Sequence, residues 1–227
     1  MTAAAPASMC TLELYERWAP TYSPTAHNPL MRMEQRAMLQ AWPEVRDRRA
    51  IDLACGTGRY THLLKQSGAS QVIGVDYCSG MLSRACDLAR VQADIVQLPF
   101  VGGAFDVAIC GLAVGHVGLT LWAREVARVL CATGVILYSD FHPEAARAGL
   151  TRSFRDEQDR EWTLPHHRYE LAQHAAALTA ARLEPDLVRE LQVGRELNEP
   201  FDGSERFYRE WDGLPLVLIV RARKQPA

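Results

Sequence analysis

The stretch Ala50-Ile51-Asp52-Leu53-Ala54-Cys55-Gly56-Thr57-Gly58 constrains this chain more than any other. A short apolar run enters a Gly-Thr-Gly turn, and Arg59-Tyr60-Thr61-His62-Leu63-Leu64 then opens a helical pattern, so the segment reads as strand, tight turn, helix. Glycines at such a turn let backbone N–H groups approach a ligand that a Cβ would hold off, and the helix N-terminus adds positive potential. A second apolar strand, Gln71-Val72-Ile73-Gly74-Val75, ends in Asp76, whose carboxylate can accept both hydroxyls of a ribose. Together the two units describe a nucleotide-type site. Dinucleotide folds need a third glycine where this chain has Thr61, so a pyrophosphate lacks its usual cradle.

The pattern continues downstream. Ser79-Gly80-Met81-Leu82 opens a helix that runs to Arg90 with Ser79 as its N-cap, and Val91 to Ile95 forms a short strand whose exit carries Asp94. Phe105 to Cys110 is a buried strand ending at Gly111-Leu112, residues 119–131 form an amphipathic helix with Gly134 as its stop, and Val135 to Ser139 gives a fifth strand. A helix over 170–183 and strands over 186–193 and 214–223 follow. Strands alternating with such helices require crossovers, which predicts an α/β fold: a Rossmann-like three-layer αβα sandwich around a mostly parallel, seven-stranded sheet. Joining the last two strands without a helix makes the last one antiparallel. Ligand belongs at the carboxyl ends of the strands.

The 227 residues read as one domain. Residues 1–44 form an N-terminal lid, 45–140 the ligand-binding core, and 140–169 and 194–213 irregular insertions on the substrate side. Within the lid, residues 1–9 read as a tail, Cys10 to Trp18 as a helix stopped by Pro20, and Pro29 as the start of a second helix ended by Pro43.

Asp52 to Gly58 resembles the first motif of the class I S-adenosylmethionine-dependent methyltransferases, and Asp76, Asp94 and the Phe105-to-Gly111 strand extend the resemblance over roughly residues 45 to 140. The resemblance implies S-adenosyl-L-methionine as cofactor, with contacts from Ala54, Gly56, Gly58, Asp76, Tyr77, Met81, Asp94, Ile95 and Gly111. Trp18-Ala19-Pro20-Thr21-Tyr22 looks like the family's lid sequence, with Tyr22 closing over the methionine end. In type the chain is similar to the small-molecule enzymes, exemplified by quinone-ring and malonyl-[acyl-carrier-protein] methyltransferases. Cys110-Gly111-Leu112-Ala113 stands where nucleic-acid and protein-glutamine N-methyltransferases carry Asn/Asp-Pro-Pro-Tyr, which argues for an oxygen or carbon acceptor, small or carrier-bound. Two rivals share the pattern: an NAD-dependent reductase, disfavoured by Thr61 and by the lack of a Tyr-x-x-x-Lys pair, and a catalytically silent methyltransferase-like binding protein.

Methyl transfer asks mainly for alignment, and for a base when the acceptor is not already an anion. His116, His142, His166 and His167 fall in segments expected at the ligand edge. His142 leads, because Ser139-Asp140-Phe141-His142-Pro143 joins Asp140 and an imidazole at a strand end. His166-His167 diverge as neighbours and lack a third ligand at helical spacing, so no metal is expected. Arg59, Arg147, Arg152, Arg155, Arg168 and Arg206 are candidates for an acidic group on the substrate; Phe154, Trp162, Phe201, Phe207, Tyr208 and Trp211 either wall a pocket or form the lid's own small core. With 25 basic and 27 acidic residues no general field favours nucleic acid or an anionic membrane. Six cysteines without a C-x-x-C pair read as free thiols, and Met1 to Met9 has neither a basic flank nor a long apolar run. A cytoplasmic monomer or homodimer is the expectation.

Overall fold

Strand β1 (Arg49–Leu53) is buried along every residue after Arg49, as a strand covered on both faces must be. It pairs in parallel with β2 (Gln71–Asp76) on one side and β4 (Phe105–Cys110) on the other. The computed structural model describes residues 9–85, 87–194 and 204–226. Beyond β2 lies β3 (Arg90–Gln92); beyond β4 lie β5 (Leu130–Phe141), β9 (Pro215–Lys224) and β8 (Leu183–Gln192), giving the order β3-β2-β1-β4-β5-β9-β8. Strand β9 is antiparallel to both of its neighbours. Chain order reverses direction between β1 and β4, the switch point where such sheets leave a crevice at their carboxyl ends.

Alternate residues feed two cores. Ile51, Leu53, Ala108, Cys110, Ile136 and Tyr138 pack under helices α5 (Leu119–Val129) and α7 (Leu171–Ala180), around the fully buried Trp122. Ala50, Val107, Ile109, Leu137 and Ile219 face α2 (Pro29–Gln40) and α3 (Arg59–Gln66) through Met38, Tyr60 and Leu64. At the start of α2, Asn28 accepts the Met31 N–H at 2.9 Å, and Pro29 occupies a position where the missing N–H costs nothing.

Several element boundaries depart from the sequence reading. The helix expected from Ser79 to Arg90 is the short α4 (Ser79–Ser83), capped by Cys78, because Arg90 is drawn into β3 opposite Gly74. Helix α5 stops at Val129, since Leu130 pairs with Phe105; Gly134 then lies inside β5 and terminates nothing. The stretch from Asp140 to Tyr169 holds α6 (Pro143–Arg147) and a hairpin of β6 (Arg152–Arg155) and β7 (Glu161–Leu164). Asp156 closes that hairpin by accepting the N–H groups of Gln158 and Arg160, both at 3.0 Å, and the Trp162 indole N–H at 2.8 Å. Between β8 and β9 there is a helix after all, α8 (Ser204–Trp211), so these antiparallel neighbours are not joined by loop alone. Residues 1–8, Cys86, Phe201 and the side chains of Arg206 and Phe207 lie outside the described residues.

Helix α1 (Thr11–Trp18) is fastened to α4, where Glu16 accepts the Ser79 hydroxyl at 2.9 Å and the Gly80 N–H at 3.0 Å. The β6–β7 hairpin backs it, with Phe154 stacked on Trp18 at 4.7 Å and packed with Leu14 and Leu164.

Candidate active site

The turn after β1 is built from left-handed residues: Ala54 at φ 54°, Gly56 at φ 56° and Gly58 at φ 93°, the last capping α3. Coiling of this kind aims peptide N–H groups at the crevice. The Gly56 N–H meets Asp76 Oδ2 at 2.7 Å, and Asp76 Oδ1 accepts the Cys78 N–H at 2.8 Å. One carboxylate thus joins the loops that follow β1 and β2. Burial raises its pKa, and the backbone N–H groups act against that rise. A carboxylate has about four acceptor sites, so two bonds leave room for ligand hydroxyls.

Thr61, where a dinucleotide fold would need glycine, instead donates its hydroxyl to the buried Asp52 at 2.7 Å. This bond ties α3 to β1; burial pushes the Asp52 carboxyl up to about 7, and the Thr61 bond and the Arg59 charge restrain it.

A cavity of about 610 Å³ opens above these loops, within the range of small-molecule sites. Its wall includes Tyr22, Ala54, Gly56, Asp76, Tyr77, Met81, Asp94, Ile95 and Gly111, so nine of the ten residues expected from the sequence around the cofactor come together. The tenth, Gly58, is not in the wall. A Cβ there would lie 2.2 Å from Leu88, so its glycine serves the turn and the packing behind it. At Gly56 a Cβ would meet nothing within 4 Å, which marks open space over bare peptide, whereas at Gly111 it would strike the Tyr60 ring at 2.4 Å. Asp94 spends one oxygen on the Val96 N–H at 3.0 Å. Tyr22 packs its ring edge-on to Trp18 at 4.7 Å, and burial pushes its phenol up to about 12.

The histidines divide sharply. His142 is buried away from the cavity, with Nε2 3.0 Å from Glu190 and Nδ1 accepting the Glu144 N–H at 3.2 Å as the cap of α6. Asp140 is also outside the wall; its Oδ1 takes the N–H groups of Phe141 at 2.9 Å and Gly115 at 3.2 Å. His166 packs against Phe141 and His167 donates its backbone N–H to Gly115, and neither lines the cavity. His116 does line it. Its Nδ1 lies 3.1 Å from the Pro165 carbonyl, which can only accept, so Nδ1 carries the hydrogen and Nε2 the lone pair. Nε2 stands 3.0 Å from both the Tyr15 hydroxyl and Arg152 Nη1. Burial and the Arg152 charge press the imidazole down to about 3, so it is neutral near pH 7.

Sequence reasoning missed Tyr15 and Glu34. Tyr15 sits in the cavity wall; Glu34, fully buried on α2, pairs with Arg59 at 2.9 Å and accepts the hydroxyls of Tyr60 at 2.8 Å and Ser139 at 2.6 Å. An acidic residue on an otherwise apolar face of α2 was the available signal for Glu34. Among the aromatics, Phe154 and Trp162 belong to the small core under α1, and Tyr208 and Trp211 pack on the main core; Phe201 and Phe207 fall outside the described residues. Among the described residues no three His, Cys, Asp or Glu side chains can hold a metal, and no helix is long and apolar enough to cross a membrane.

A family model described as a methyltransferase domain matches residues 51–138. A demethylmenaquinone methyltransferase of Corynebacterium kroppenstedtii is 36% identical over 96 residues, 41% of this chain and 42% of the relative; the chain spans half or less of the length of several such relatives. A 2-phytyl-1,4-naphtoquinone methyltransferase of Synechococcus elongatus is 30% identical over 190 residues, 77% of this chain and 79% of that protein. An S-adenosylmethionine-dependent methyltransferase crystal structure from Mesorhizobium loti superposes with a TM-score of 0.66 at 24% identity, covering 85% of this chain and 98% of that one, a likeness of fold. The strand order, the turn after β1 and the length of the cyanobacterial match converge on one conclusion: the chain belongs to the class I S-adenosylmethionine-dependent methyltransferases.

Proposed function

We propose that this protein transfers the methyl group of S-adenosylmethionine to an oxygen or carbon of a small-molecule or carrier-bound acceptor. Asp76 carries the reading: it stands in the cavity wall braced by two backbone N–H groups, with acceptor capacity left for the vicinal hydroxyls of a ribose. The open space over Gly56 suits the amino-acid end of the cofactor, beside Ala54, Gly111 and Tyr22. Asp94 has an oxygen for the adenine amino group, between Met81 and Ile95, with Tyr77 at the rim. When bound, the cofactor would supply an electrophilic methyl carbon to an acceptor whose proton has already gone to solvent, with the neutral thioether as leaving group.

The chain's own groups align the reactants and exclude water. His142 is replaced by His116 as the histidine at the reaction site, but a neutral imidazole of low pKa, whose lone pair already receives Tyr15 and Arg152, is a poor base. His116 therefore holds its neighbours in place, and the acceptor reacts as an anion. Leu12, Leu30, Met31, Leu112 and Phe141 in the wall favour an apolar or aromatic acceptor, in keeping with relatives named for demethylmenaquinone and 2-phytyl-1,4-naphtoquinone. The free thiols Cys55, Cys78 and Cys110 suit a reducing compartment, and we assign the reaction to the cytoplasm.

Calorimetry with S-adenosylhomocysteine tests the reading. The wild type should bind it and Asp76→Ala should bind about one to two decades more weakly, the loss expected for charge-assisted hydrogen bonds of about 1.5–3 kcal/mol. Unchanged affinity in that variant, or a wild type that binds NADH in its place, rejects the proposal.

A further inference from the structure

Six arginines were candidates for holding an acidic group on the acceptor, and their surroundings separate them. Arg59 is neutralised by Glu34 at 2.9 Å, Arg147 by Glu144 and Glu170, and Arg155 by Asp159 and Glu161 at 3.3 and 3.5 Å. Arg168 is exposed and outside the cavity wall, and the Arg206 side chain lies outside the described residues. Arg152 alone among the described members of this group lines the cavity without an acidic partner.

The half-buried guanidinium of Arg152 donates from Nη1 to the Leu112 carbonyl at 2.8 Å and to His116 Nε2 at 3.0 Å, and from Nη2 to the Tyr15 hydroxyl at 3.4 Å. All three partners are neutral. They fix its direction and leave its charge undiminished, and three bonds out of five N–H donors leave two free. Its field reaches Tyr15, Tyr22, His116, His166 and Asp140. Of these Asp140 is the acidic group, but its carboxyl is bonded to Phe141 and Gly115 N–H groups and makes no salt bridge with the guanidinium. A half-buried cation in a cavity also lined by Leu12, Trp18, Leu30, Met31 and Phe141 carries a desolvation cost that an incoming anion would offset.

From this we infer that Arg152 is the acceptor-binding cation of the cavity: it holds an ionised oxygen, carboxylate or phenolate, on an otherwise apolar acceptor, with Tyr15 and His116 orienting the guanidinium. The role rests on the methyl-transfer reading for its reaction, while its anion preference follows from Arg152's own contacts.

The test compares matched probes on the wild-type protein loaded with S-adenosylhomocysteine: 2-naphthoate against 2-naphthamide for a carboxylate, and 4-nitrophenolate against 4-nitroanisole for a phenolate. In at least one pair the anion should bind roughly ten- to hundredfold more tightly than its neutral partner, and the pair that responds identifies the oxyanion. Arg152→Met should bring the two members of that pair within about threefold and Arg152→Lys should keep part of the preference, with S-adenosylhomocysteine affinity unchanged. If Arg152→Met does not fold, Arg152→Gln takes its place. A wild type that shows no anion preference or binds no anion, or a preference that survives the loss of the guanidinium, overturns the assignment. A wild type that binds no S-adenosylhomocysteine instead rejects the methyl-transfer reading, and the same pairs titrated on the unloaded chain still decide the role of Arg152.

Discussion

Asp140 illustrates how a buried carboxyl can hold a site together without facing it. Its Oδ1 bonds the Gly115 N–H and so anchors the turn that presents His116, the next residue. Burial pushes this carboxyl up to about 7 from an ordinary 3.8, against the Phe141 N–H, the Arg152 charge and the Gly115 N–H. The folded chain therefore keeps a proton that the unfolded chain gives up. Asp140's contribution to stability is full below about pH 4 and declines as the pH rises to about 7. Asp140→Asn keeps an oxygen for both N–H groups and cannot ionise. Urea unfolding across that range should thus show the variant gaining on the wild type as pH rises, and parallel profiles would contradict the buried-carboxyl account. Asp140 and His142 were legible in the sequence as chemistry-bearing neighbours, but not as residues of a strand end that turns inward; His142 is engaged by Glu190 across the sheet.

At the scale of elements, the first two crossover units follow from local sequence. Left-handed backbone at Gly56 and Gly58 and a carboxylate ending β2 are properties of short segments. Helix ends and strand starts were less legible: α5 gives up Leu130 and α4 stops at Ser83 because strand pairing prevails over helical periodicity. The hairpin β6–β7, its Asp156-centred turn and its docking on α1 all lie in a stretch that read as an irregular insertion, because four-residue strands are too short to show a period. Helix α1 is held over the cavity by Tyr15 on His116, Trp18 on Phe154 and Glu16 on α4. Burial works to raise the Glu16 carboxyl, but the Gly80 N–H and the Ser79 hydroxyl prevail and hold it below its usual value. Glu16→Ala should free that end: α1 amides should exchange roughly tenfold faster, as loss of about 1.5 kcal/mol of local protection implies, while the global unfolding midpoint moves little. Unaltered α1 exchange would show that the aromatic stack of Trp18 on Phe154 suffices.

In the whole molecule, the sheet sets where everything else can be. Trp122 is fully buried beneath it, edge-on to Tyr138 at 4.9 Å, and Trp122→Ala should cost about 3–5 kcal/mol in chemical denaturation, by lost burial and an incompletely closed cavity. A loss below about 1 kcal/mol would mean that this core readily collapses around the gap. By itself the sequence determined the alternation of strands and helices, the turn after β1 and Asp76, because each depends on backbone geometry or periodicity within a few residues. Only the tertiary structure decided which histidine and which arginine reach the cavity. Tyr15 and Arg152 stand 137 positions apart, and Tyr15 and His116 101. Contacts at such separations leave no periodic trace in the chain; they exist only once helix α1, the segment after β4 and the hairpin have been brought together.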